Sequence, residues 1–96
     1  MTRAVYDRAK GILQAMGHAE YAESGKDIVC AAVSTITQAA AISALKCGGE
    51  ALCGEGIIHT ECMDDKHLYV LEVLAEMLEE VSKQYPQHVT LIRAGR

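Results

Sequence analysis

Two short runs with apolar residues, Arg3 to Tyr6 and Ile12 to Met16, flank the charged, glycine-ended segment Asp7-Arg8-Ala9-Lys10-Gly11. That arrangement predicts two strands joined as a hairpin. From Gly17 to Lys26 the pattern lapses, and Gly17 and Gly25 permit unusual backbone angles in a loop. The next stretch, Asp27 to Leu45, contains neither Gly nor Pro, and Ala31, Ala32, Ala39, Ala40, Ala41 and Ala44 favour a helix. Ser24-Gly25-Lys26-Asp27 supplies an S-x-x-D start signal, and Asp27 is itself placed to cap the helix. Ile28, Val29, Val33, Ile36, Ile42 and Leu45 spread round much of its circumference. A helix apolar on most sides is a central one, covered by other elements or by another subunit.

Beyond it, Cys47 to Gly56 is rich in glycine and reads as an irregular connection. Gly56 to Cys62, with the β-branched pair Ile57-Ile58, predicts a strand. Asp64-Asp65 then opens a second helix, where carboxylates suit the positive end of the helix dipole. Leu71, Leu74, Leu78, Val81 and Tyr85 form its apolar stripe, leaving Glu72, Glu76, Glu79, Glu80 and Lys83 to face water. Pro86 ends the helix, and Val89 to Arg93 reads as a last strand. The resulting expectation is one α+β domain over residues 1–96, a small mixed sheet with two packed helices in the order β-β-α-β-α-β.

Composition sharpens this picture. The chain has 96 residues, half of them hydrophobic, yet no Trp, no Phe and only four Tyr. Its core must be built from Ala, Val, Ile and Leu, with the elements packed close together. A chain this short often needs a staple or a partner, which keeps dimerisation open. Nine basic and thirteen acidic residues leave a net charge of −4, without the basic cluster that phosphate contacts need. A nucleic-acid surface is therefore not expected, whereas a basic peptide partner is compatible. No apolar run approaches the ~20 residues of a membrane span, and no signal peptide opens the chain. Cys30, Cys47, Cys53 and Cys62 are accordingly read as reduced thiols in a cytoplasmic protein.

The chemistry concentrates between Gly17 and Ser34. Cys30 falls about one turn into the first helix, where a thiolate lies near the partial positive charge of unpaired backbone N–H groups. His18 precedes it by 12 positions, on the loop leaving the second strand. An imidazole beside a thiol is the minimal activated nucleophile. Asp27, Cys30 and Ser34 share one helix face, so Asp27 can orient His18, Ser34 can hydrogen-bond the thiolate or substrate, and nearby N–H groups can hold an oxyanion. The plainer readings are a buried small Cys, a solvated loop His, a capping Asp and a Ser bonded to its own helix.

The residues Gly17-His18-Ala19, Tyr21-Ala22 and Gly25-Lys26-Asp27-Ile28-Val29-Cys30-Ala31-Ala32-Val33-Ser34 together resemble the bacterial ribosomal-processing cysteine protease family. Its signature is a G-H-A segment followed by G-x-D-I-V-C-A-A-V-S. The resemblance implies an endopeptidase that removes a short N-terminal extension from a large-subunit ribosomal protein, without a cofactor. It implies His18 as the catalytic histidine, Cys30 as the nucleophile, Asp27 and Ser34 as supporting residues, and a homodimer. On this reading the loop from Ala19 to Lys26 closes over the peptide.

Other readings compete. Cys47, Cys53, His59 and Cys62 are soft metal ligands, but C-x5-C-x5-H-x2-C lacks the paired short knuckles of structural zinc sites, so no metal is expected. The acidic second helix offers a docking face for a basic ribosomal protein, which would make the chain a non-catalytic assembly module. His67 and His88 read as surface residues, and Met63 and Met77 as core filler.

Overall fold

The computed structural model describes residues 1–19, 22–23 and 27–95. Seven elements follow in order: β1 (Thr2–Asp7), β2 (Ile12–Met16), α1 (Ile28–Lys46), β3 (Glu50–Gly54), β4 (Ile57–Glu61), α2 (Asp65–Gln84) and β5 (Val89–Ala94). The strands form one mixed sheet in the order β3-β4-β2-β1-β5, antiparallel except for the β1–β5 pair. The α+β class and the two helices are as the sequence predicts. One strand more is present, because β3 lies within the stretch read as an irregular connection. It is an edge strand that pairs only with β4 and is largely exposed, so it carries no hydrophobic periodicity to announce it.

Side-chain alternation sets the inner face of the sheet. Ala4 and Tyr6 of β1 lie opposite Ala15 and Leu13 of β2, and all four are buried. Against them pack Val29, Val33, Ile36 and Ala40 of α1 and Leu71, Leu74, Ala75 and Leu78 of α2. The alanines let backbones approach closely, which is how a core whose one buried tyrosine among the described residues is Tyr6 fills its volume. Glu72 and Glu79 do not simply face water. Glu72 accepts a 2.6 Å bond from the Tyr6 hydroxyl, and Glu79 holds Arg93 at 2.8 Å, so α2 is tied to β1 and β5. Burial and then the Glu72 carboxylate push the Tyr6 phenol up to about 12.

Three sequence expectations are corrected here. His67 is fully buried, because it lies four residues before Leu71 on the inward stripe of α2, and its Nδ1 is 2.8 Å from the Ser43 hydroxyl. Met63 and Met77 are exposed, so neither fills the core. Finally, the 19 residues of α1 are long and apolar enough, by length and composition, to cross a membrane. Packing against the sheet and α2 accounts for one side of this apolarity. The other side leaves Ile28, Ile42 and Leu45 exposed.

Candidate active site

Asp27 caps α1 as its position predicts: its carboxylate accepts the Cys30 N–H at 2.8 Å, and its carbonyl accepts the Ala31 N–H at 3.1 Å. The Ser24 part of the start signal falls outside the described residues, as does most of the loop expected to close over a peptide. The cap places Cys30 as the third residue of the helix, half-buried. Cys30 and Ser34 then look into a cleft of about 220 Å³ together with Val33, Thr37 and Gln38 from the same helix. Thr37 is buried and back-bonds to the Val33 and Ser34 carbonyls at 3.0 and 3.2 Å, which leaves its methyl group to the surroundings.

His18 reaches this cleft from the opposite side. Gly17 follows β2 with φ +88°, and its N–H donates to the Gly56 carbonyl at 2.7 Å. Gly56, at the turn between β3 and β4, has φ +72°, and a Cβ added there would lie 3.2 Å from Nε2 of His18. The imidazole therefore rests over a residue without a side chain. His18 itself is exposed, whereas the next residue, Ala19, is fully buried and anchors the segment in the core.

Of the residues singled out in the sequence, His18, Cys30 and Ser34 line one cleft, and Asp27 builds the helix end that presents Cys30. The Asp27 carboxylate thus occupies the Cys30 N–H at the start of the helix. The β3–β4 hairpin closes the far wall with Cys53, Gly54, Gly56, Ile57 and Ile58. Neither this wall nor the position of Cys53 was readable without β3. His88 was missed as well: its Nδ1 lies 2.9 Å from the Ala19 carbonyl, a contact across 69 positions for which no local pattern exists.

Of the remaining thiols, Cys53 shares the cleft with Cys30, whereas Cys47 and Cys62 are not among its lining residues. The Cys62 thiol donates to the Cys47 carbonyl at 3.4 Å, and burial followed by the Asp64 carboxylate pushes the Cys47 thiol up. His59 bonds to Gln14 at 2.9 Å and to Glu61 at 3.3 Å. Among the described residues no three His, Cys, Asp or Glu side chains are grouped to hold a metal ion.

Residues 1–90 match the profile of the family described as Cysteine protease Prp. The chain is similar in fold to the essential ribosomal processing protease Prp from S. aureus, solved with a covalently linked product peptide. The identity there is 21%, the TM-score 0.83, and the match covers 97% of this chain and 99% of that one. The S. aureus protease with a substrate peptide matches at 20% identity and a TM-score of 0.75, over 97% and 99% of the two chains. SMU.848 from Streptococcus mutans matches at 23% identity and a TM-score of 0.74, over 100% and 96%. No curated protein matches the chain. With a profile spanning nearly its whole length and a cleft that joins a helix-capped thiol to an imidazole, the chain belongs to the cysteine protease Prp family.

Proposed function

We propose that this cysteine protease removes a short N-terminal extension from a large-subunit ribosomal protein, with Cys30 as nucleophile and His18 as general base. The observation that carries the assignment of roles is the shared cleft: two groups 12 positions apart face one space, one of them in the first turn of a capped helix. The processing role of the S. aureus relative, and the peptides bound to it, support the choice of substrate.

In this mechanism the His18 imidazole takes the Cys30 thiol proton, and the thiolate attacks the scissile carbonyl carbon. The tetrahedral oxyanion draws on N–H groups at the start of α1. Its collapse breaks the C–N bond, His18 returns the proton to the leaving amine, and a thioester remains. Water, deprotonated by His18, then hydrolyses the thioester and restores the thiol. Asp27 supports the pair by holding the helix end, and Ser34 by lining the cleft one turn beyond Cys30.

The protease acts as a homodimer, in which the exposed apolar side of α1 is covered by a second copy. It works in the cytoplasm, and its four free thiols suit a reducing compartment. The deciding experiment incubates the protein with a peptide spanning the extended N-terminus of the ribosomal protein. The native enzyme cleaves it and Cys30→Ala does not, while the fold is kept because the volume change is small. Full activity in Cys30→Ala overturns the mechanism, and an intact peptide with native enzyme overturns the substrate.

A further inference from the structure

The tripeptide Gly17-His18-Ala19 is held through its backbone, and its anchors come from distant parts of the chain. On one side of His18, the Gly17 N–H donates to the Gly56 carbonyl at 2.7 Å, and the Thr2 hydroxyl reaches the Gly17 carbonyl at 3.4 Å. On the other side, the Ala19 carbonyl lies 2.9 Å from Nδ1 of His88. A carbonyl oxygen only accepts, so Nδ1 carries the proton and donates it. The segment bearing His88 is in turn fastened to β1, since the Thr2 N–H donates to the His88 carbonyl at 2.9 Å. The ring of bonds thus closes from His88 through Thr2 to Gly17 and back through Ala19.

We propose that His88 is a positioning residue for catalysis: its Nδ1–H fixes the C-terminal side of His18 and so aims the imidazole at Cys30. The proposal rests on His18 being the general base. Ala19 is fully buried, so its carbonyl loses a hydrogen bond in the interior when the His88 donor is removed. The C-terminal side of His18 would then be held by the burial of Ala19 without this hydrogen bond, and its other neighbour, Gly17, has a left-handed backbone open to re-orientation. His88 is not among the residues lining the cleft. Its loss should therefore act on the chemical step and not on peptide binding. Small misplacements of a reacting group reduce rates by up to ~100-fold, so the expected effect is large enough to measure.

The test compares His88→Ala, His88→Asn and His18→Ala in the full chain, against the ribosomal-protein peptide. Asparagine places an amide N–H close to the position of Nδ1, whereas alanine has no donor. His88→Ala should lower kcat about tenfold or more while KM stays within about twofold, and His88→Asn should recover most of the loss. Alkylation of Cys30 by iodoacetamide, followed site by site by mass spectrometry, should slow in His88→Ala and recover in His88→Asn without any substrate present. Unchanged kcat in His88→Ala overturns the proposal. So does an equal loss in both His88 variants that merely follows their melting temperatures. If His88→Ala does not fold, the donor-bearing His88→Asn decides: near-native kcat and alkylation sustain the proposal, and their loss in a folded protein ends it. His18→Ala separates the two readings, since full cleavage by that variant removes the general base itself. An inactive His18→Ala beside a fully active His88→Ala removes only the role of His88.

Discussion

The imidazole of His18 rests against a position where even a methyl group would crowd it. A Cβ at Gly56 would lie 3.2 Å from Nε2, and the φ of +72° is one that an L side chain adopts at a cost of about 1–2 kcal/mol. Gly56→Ala should lower stability by about 1 kcal/mol and also displace the ring. Its kcat should fall even well below the melting temperature; native kcat there would show that the ring is not held against Gly56. His67 gives a second prediction. Burial holds its imidazole below the usual histidine range, with the Asp64 carboxylate opposing in part. As pH falls through the unfolded value of about 6.5, the unfolded chain takes up a proton that the folded one refuses. Stability present above that pH is therefore lost on acidification, and urea midpoints should drop between about pH 7.5 and pH 5.5. Ser43→Ala with His67→Leu removes both partners of the 2.8 Å bond and should flatten that drop. A slope unchanged in the double variant would assign it to other groups. The burial of His67 was legible, since it stands at i, i+4, i+7 and i+11 with Leu71, Leu74 and Leu78. Its chemistry as a polar residue masked its place in the stripe.

Among the elements, α1, α2, β1, β2 and β4 follow from local signals: caps, alanine content, i, i+3, i+4 spacing and β-branched runs. β3 does not, because it exists through pairing with β4 in the register Leu52↔His59 and Cys53↔Ile58. An edge strand flanked by glycines has little local preference of its own. Its consequence for function is a cleft wall. Cys53 is exposed yet lines the cleft, so Cys53→Trp should narrow the space at little expense in stability. KM for the peptide should rise while the melting temperature stays close to native. Unchanged KM would mean that substrate does not pass along β3.

For the molecule as a whole, the open question is the outer side of α1. Ile28, Ile42 and Leu45 are each about 60% exposed and lie along one side of the helix. If that side is the dimer contact, Ile42→Lys with Leu45→Lys should convert the protein to a species near 10.4 kDa in sedimentation equilibrium. A native protein that sediments as a monomer across the concentration range would leave that side uncovered and end the dimer proposal. Taken by itself, the sequence determined the α+β class, the capped first helix with Cys30 in its opening turn, and a motif specific enough to indicate a protease family. These follow from interactions within a few residues, where helix period, capping chemistry and strand propensity act directly. Only the tertiary structure decided that His18 and Cys30 share a cleft, that β3 walls it, and that His88 holds the Ala19 carbonyl from 69 positions away. Such contacts depend on which faces the packed core brings together, and no short stretch of chain contains that information.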